Sequence, residues 1–447
     1  MKIEQFEDKG LAHFSYIISS EGQMAVIDPA RNPQPYYEYA NLHDACLMAV
    51  IETHPHADFV SSHQEIAQTK EATIYASKLT GAAYPYQAFD EGDSIRIGEV
   101  TLHAINTPGH SPDSISVLVK DENEQPVALF SGDTLFIGDV GRPDLRETAG
   151  SITAKREELA RQMYYSTREK IMPLPDTVTV YPAHGAGSLC GKGMSEAKQS
   201  SIGTEKKTNP ALQPMSEEDF LKYLLADQPF VPKYFPFAVD LNKHGAPTFR
   251  HSVSQVPYLP PHCALDKNTL IIDTRPEKQF KQGHLPDAIN LQDALKFETW
   301  LGAVVGPQEK FYLVADSEEA LEQVIAKTAK IGYERNIKGG LIAPDNQIEK
   351  SDITDLENFK NNPEAYTIID IRNHNELKEG KLFPAALPIP LPELRERINE
   401  IPTDKPIMVH CAGGYRSAAG ASIITRKIKN QPVYDLSEAV KEFTPEK

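Results

Sequence analysis

The feature that most constrains this chain is a series of short β-rich runs, each ending where a histidine or aspartate begins. They read SYIIS, MAVIDP, CLMAVIETHPH, VALFSGD and TVTVYPAHG. Period-two apolar runs of this length are strand signals, and a polar residue closing each one lies on a loop that a rigid strand can aim. Four loops carry candidate ligands: THPHAD with His54, His56 and Asp58, TPGHSPDS with His110, FSGDTLF with Asp133, and YPAHGAGS with His184. One such histidine alone reads as an ordinary hydrogen-bonded side chain. Four loops in this order argue for a shared site. One residue breaks the pattern, because THPHADFVSSH puts Phe59 where an H-x-H-x-D-H run has its last histidine, and a benzyl group cannot bind a metal.

At 447 residues the chain exceeds one ordinary core, and about 100–200 residues per domain predicts two to four. A formal charge of −17 without any Lys/Arg-rich tract argues against nucleic acid or an anionic membrane as partner. The opening MKIEQFEDKGLAHFSYII has charges throughout, and no run approaches the roughly 20 apolar residues that span a bilayer, so a soluble cytoplasmic protein is expected. Cys46, Cys190, Cys263 and Cys411 are too scattered for a disulfide scaffold and matter, if at all, as thiols.

SEEDFLKYLLAD at 216–227 reads as a helix, and the proline-punctuated QPFVPKYFPF and SVSQVPYLPP read as a domain edge and linker. Beyond them LIIDTR at 270–275 recurs as TIIDIR at 367–372, and Gly283 recurs as Gly380 at the same offset of 97 residues. A strand ending in Asp-x-Arg, a charged helix and a second strand make a βα unit in each copy. The expected organisation is an α/β multidomain chain divided at 1–247, 248–350 and 351–447, the last two being a domain duplication with central parallel sheets.

The order and wording of the ligand loops resemble the metallo-β-lactamase superfamily over roughly residues 1–245, and GDTLFIGDVGRPDL at 132–145 is most similar to its persulfide dioxygenase branch. The resemblance implies an αββα sandwich with the site at its edge. It also implies one Fe(II) per N-terminal domain held by His54, His110 and Asp133, with His56, Asp58 and His184 around it and O2 as co-substrate. Ligand chemistry points the same way. Phe59 deprives a second metal site of a nitrogen donor and walls it with carbon, leaving two histidines and a carboxylate on one metal, a set that suits non-haem iron and dioxygen. Zinc is the alternative, since some mononuclear members of the fold use it, and His56 would then be a candidate direct ligand. Arg142 in the GRPD loop is a candidate for positioning an anionic thiol carrier, with a structural ion pair as its other reading.

VHCAGGYRSAAG at 409–420 follows an apolar strand and leads into a helix. Cys411 therefore sits on a glycine turn before a helix N-terminus, where backbone N–H groups favour an anionic sulfur. Gly413 and Gly414 let the backbone wrap the sulfur, with Ala412 and Tyr415 completing the loop and Arg416 returning a positive charge to its rim. A tyrosine phosphatase loop has the form H-C-x5-R, whereas this H-C-x4-R is similar to the active loop of a rhodanese, whose cysteine alternates between thiol and persulfide. The first copy has Ala315 about where Cys411 falls, and no glycine or arginine loop follows, so it reads as an inactive rhodanese-like domain. Cys190, six residues after His184, is a candidate for lining the metal pocket or for a small apolar filler; Cys263 reads as incidental and Cys46 as core.

Resemblance to fused persulfide dioxygenase–rhodanese proteins of sulfide detoxification extends over nearly the whole chain. It implies oxidation of a low-molecular-weight thiol persulfide to sulfite and thiol, coupled to sulfur transfer through Cys411 with thiosulfate formed or used, in a protein that self-associates. The alternatives are a zinc thioester hydrolase similar to glyoxalase II fused to a rhodanese, and a non-catalytic sulfur carrier or sensor.

Overall fold

The computed structural model describes residues 1–145, 156–345 and 349–443, so the last four residues of the expected third domain lie outside it. The chain forms two compact units, Met1–His251 with Ala329–Gly332, and Ser252–Thr328 with Tyr333–Lys447.

In the first unit two six-stranded sheets lie face to face. Alternate residues of His13–Ser20 and Gln23–Ile27, among them Phe14, Tyr16, Ile18, Ala25 and Ile27, pack against Val117, Val119 and Phe130 of the other sheet. Each large apolar side chain buried in this way contributes about 1.5–3 kcal/mol. Outer helices complete an αββα sandwich: Tyr36, Tyr39 and Ile66 cover the first sheet, and Leu159, Met163, Phe220 and Leu224 lie on helices over the second. The helix expected in SEEDFLKYLLAD is Glu217–Leu225, capped by the Ser216 hydroxyl, which accepts from the Asp219 N–H.

Strand pairing carries the polar loops to one edge. Gln23–Ile27 runs parallel to Cys46–Ile51, with Ile27 opposite Ile51, so Asp28 and the loop from Glu52 emerge together. In the other sheet Pro126–Gly132 runs parallel to Thr179–Pro182, with Gly132 opposite Pro182, which brings out Asp133 beside His184. Gly132 has φ +53°, and a Cβ there would lie 2.6 Å from Thr53 Oγ1, so glycine permits this approach.

Two local readings are corrected. Cys46, expected in the core, opens its strand at an exposed position. The second half of QPFVPKYFPF is part of a helix, Phe235–His244, inside the first unit, with Pro236 in its first turn where a missing N–H costs nothing.

The second unit holds two all-parallel sheets, of five strands and four. The repeated Asp-x-Arg is the same brace in both. Arg275 donates to both carboxylate oxygens of Asp273 and to the Gly283 carbonyl, and Arg372 does the same to Asp370 and the Gly380 carbonyl. Asp273 pairs in register with Val314 and Asp370 with His410, so Ala315 occupies the position of Cys411.

Candidate metal centre and sulfur-transfer loop

Three side chains from separate loops converge at the sandwich edge. His54 Nε2 lies 3.9 Å and His110 Nε2 3.4 Å from the same oxygen, Asp133 Oδ2, and all three residues are buried. Among the described residues, that oxygen accepts no hydrogen bond. A buried carboxylate oxygen facing two imidazole nitrogens needs a compensating positive charge, and a divalent ion within reach of all three donors fits. The other oxygen is committed, since Asp133 Oδ1 lies 2.8 Å from His184 Nδ1. Burial would raise the Asp133 carboxyl, but the charges of His184, His110 and His54 hold it well below the usual range.

The remaining polar residues of the motif have carboxylates of their own nearby, although donor atoms of His56 and His184 also lie within 4.8 Å of one of Asp133. His184 spans two carboxylates, with Nε2 2.7 Å from Asp58 Oδ2, so both ring nitrogens are engaged. Burial opposes its protonation, yet Asp133 and Asp58 hold its pKa well above that of an ordinary histidine. His56 Nε2 lies 3.2 Å from Asp28 Oδ1, and Asp28 also accepts from the backbone N–H and hydroxyl of Thr53. His56, Asp58 and His184 thus surround the three-residue cluster.

Phe59 is buried between two imidazoles, with ring centroids 3.9 Å from His13 and 4.4 Å from His56. His13 escaped the sequence reading, because nothing near it in the chain resembles a motif; burial, with His184 and His56 nearby, holds its pKa well below the usual value. Cys190 is buried within 4.8 Å of donor atoms of both Asp58 and His184. Burial, with the Asp58 and Asp133 carboxylates nearby, pushes its thiol well up. Arg142 is buried in a two-pronged pair with Asp144 at 2.6 Å on each arm, and it also donates to the Leu189 carbonyl.

The THPHAD loop is clamped from far along the chain. Asn242 donates to the carbonyls of His56 and Phe59 and accepts from the Ser61 N–H, while the Tyr234 hydroxyl donates to the Asp58 carbonyl. Both clamps lie in or beside the helix that the prolines disguised.

In the second unit Cys411 follows Ile407–His410 and is buried, while Ala412 and Gly413 are exposed. Gly414, at φ +104°, precedes the helix Tyr415–Lys427 and directs its N–H at the Cys411 sulfur, 3.1 Å away. A Cβ there would meet Glu438 N at 2.9 Å. Arg416 is bound two-pronged by Glu376, at 2.5 and 2.7 Å, so its charge is compensated in a way the sequence did not reveal. The Tyr415 hydroxyl donates to the Gln292 carbonyl of the first copy.

Family models match at both ends of the chain: "Metallo-beta-lactamase superfamily" over residues 8–184, and "Rhodanese-like domain" over residues 264–343 and 353–446. The cytoplasmic hydroxyacylglutathione hydrolase of Arabidopsis thaliana is 30% identical over 176 residues, 38% of this chain and 63% of that protein. The mitochondrial persulfide dioxygenase ETHE1 of Bos taurus is 28% identical over 244 residues, 54% of this chain and 86% of that protein. A crystal structure of a metallo-beta-lactamase from Staphylococcus aureus subsp. aureus COL is 32% identical with TM-score 0.68, over 77% of this chain and 99% of that one. The chain spans less than two thirds of the length of two of its relatives, the Arabidopsis thaliana hydrolase and a beta-lactamase hydrolase-like protein of Agrobacterium fabrum.

Proposed function

We propose, from the premise that this chain belongs to the metallo-beta-lactamase superfamily and carries rhodanese-like domains behind that fold, that it is a non-haem iron persulfide dioxygenase joined to a sulfurtransferase. The persulfide dioxygenase relatives support the first half of this reading. The observation that carries it is the convergence of His54 and His110 on Asp133 Oδ2 while His184 is engaged by the other Asp133 oxygen and by Asp58, so that two nitrogens and one oxygen surround one point. When bound, iron would supply the redox chemistry with O2 that zinc cannot. The chain's own part is positional. His184 orients Asp133 and holds a proton between two carboxylates, Phe59 and His13 close the far side with aromatic carbon, and Arg142 stays in its ion pair with Asp144.

The overall first reaction is RSSH + O2 + H2O giving RSH and sulfite with two protons. Anaerobically purified protein should contain iron and take up O2 when a thiol persulfide is added. Zinc with no O2 uptake would overturn the reading in favour of thioester hydrolysis, the chemistry of the hydroxyacylglutathione hydrolase relatives.

Sulfur transfer in the second half runs through a Cys411 persulfide, linking thiosulfate, sulfite and thiol persulfides. Cys411→Ala should keep sulfite formation and lose thiosulfate formation or use; unchanged thiosulfate chemistry would remove Cys411 from the reaction. The proposed domain limits are 1–247, 248–350 and 351–447. None of the four cysteines is in a disulfide, in keeping with a reducing cytoplasmic setting.

A further inference from the structure

Within the second unit the two rhodanese-like copies enclose a cavity of about 200 Å3, and no residue of the Cys411 loop lines it. The helix Tyr415–Lys427 contributes Ala421 and Arg426 to its wall. The first copy contributes Asn290 and the Phe280 and His284 rings, which stack at 3.9 Å. Asn290 is buried, and its amide has one possible orientation. Nδ2 donates to the carbonyls of Asp273 and Arg275, at 3.1 and 2.9 Å, and turning the amide over would set Oδ1 against both. Its backbone N–H donates to the Ser422 hydroxyl of the second copy. Oδ1 is left, among the described residues, without a hydrogen-bond partner. A buried acceptor of this kind calls for a donor from whatever fills the cavity.

The charges around the cavity are of both signs. Lys281 pairs with Asp435 and Lys429 with Asp287, each at 2.8 Å, and these cancel. Arg426 has a neutral partner instead, the Asp287 carbonyl at 3.0 Å, and no ion pair among the described residues. Glu349 meets only the Asp287 N–H at 3.4 Å and the His284 ring at 4.0 Å, and burial holds that histidine below its ordinary pKa, so no cation matches the carboxylate.

We propose that this cavity binds a small α-amino acid, whose carboxylate pairs with Arg426 and whose ammonium donates to Asn290 Oδ1 and meets the Glu349 carboxylate. At ~30 Å3 per water the space equals about seven waters, the bulk of an amino acid with a short side chain and below the usual ~300–1,000 Å3 of sites for drug-sized ligands. Water alone would satisfy Asn290 but would bring neither Arg426 nor Glu349 an opposite charge. A ligand of one sign would match one of them and repel the other. The site goes beyond the sulfur chemistry and does not depend on it.

Saturation-transfer NMR on the full-length protein tests this with L-alanine, L-serine, L-threonine and L-aspartate, thiol-free probes that leave sulfur exchange out of the readout. At least one should bind saturably with Kd below about 1 mM, and propionate and ethylammonium, each carrying one of the two charges, should bind about tenfold more weakly or worse. Arg426→Gln should weaken the amino acid about tenfold, and Arg426→Lys should recover part of the loss. Ala421→Leu fills the cavity with carbon, changes no charge and should abolish binding. Circular dichroism of each variant should match that of the native protein. No saturable binding by any of the four probes, propionate binding as tightly as the amino acid, or native affinity in Arg426→Gln or Ala421→Leu would overturn the proposal.

Discussion

His184 Nδ1 lies 2.8 Å from Asp133 Oδ1, while the other oxygen of that carboxylate faces His54 and His110. One histidine thus decides which oxygen of Asp133 is left to a metal. Replacing it should loosen the carboxylate and leave Asp133 and Asp58 as buried neighbours of like charge. His184→Ala is expected to lose about 10–100-fold in metal affinity, the usual effect of removing a group that orients a ligand. Competition with a chelator during anaerobic dialysis measures this directly.

Phe59 occupies the space between His13 and His56. Phe59→His puts a nitrogen donor back beside Asp58, and metal content should move from about one ion per chain towards two, with zinc rising, as expected where a tetrahedral nitrogen–oxygen site is restored. Persulfide-dependent O2 uptake should not improve. Elemental analysis and an oxygen electrode on one preparation test both parts.

Asn242 satisfies three backbone groups of the THPHAD loop. In Asn242→Ala those groups lose their partner, at roughly 1–3 kcal/mol for each that stays buried and unsatisfied. Chemical denaturation should show the stability loss, and metal affinity should fall with it because His54 and His56 lie on that loop. Asn242→Asp keeps the acceptor for Ser61 but cannot donate to the two carbonyls, so it should recover only part of the stability.

Glu376 sets a pH limit on the Cys411 half. Burial would raise its carboxyl, but hydrogen bonds from Arg416 and the Arg416 charge hold it below the usual carboxylate range. A depressed folded-state pKa means that the ion pair's contribution is fully present above the unfolded value, about 4.3 for glutamate, and fades as pH falls through the lower folded one. Thiosulfate turnover should therefore show no loss from this pair between neutral pH and about 5, within that ordinary range. Glu376→Gln should flatten the acid limb of the stability profile. It should also lower the thiosulfate KM by uncovering the Arg416 charge.

The parts legible in the sequence were those with local signatures. Short apolar runs ending in His54, Asp133 and His184 lie on strands that emerge at one edge, because in-register parallel pairing carries equivalent strand ends together. The repeated Asp-x-Arg and its glycine were visible because the arginine and glycine of the brace are only eight positions apart in each copy. His13, Tyr234, Asn242 and Glu376 were not visible, since each acts on residues far away in the chain and none belongs to a motif. QPFVPKYFPF was misread for a related reason. A proline in the first turn of a helix looks, from sequence, like a proline in a linker.

The two copies share the brace but differ at the start of the helix after the second strand. In the cysteine-bearing copy that helix opens with Tyr415 and Arg416, whereas its counterpart Glu318–Lys330 opens with Glu318 and Glu319. Two carboxylates at a helix N-terminus stabilise the helix by meeting its positive end, and they oppose a thiolate at the same place. The replacement of the cysteine by Ala315 in the first copy is therefore a ratchet. Ala315→Cys alone would place a thiol on an intact scaffold in an acidic field, so regaining a persulfide carrier requires dismantling charges that the helix now relies on.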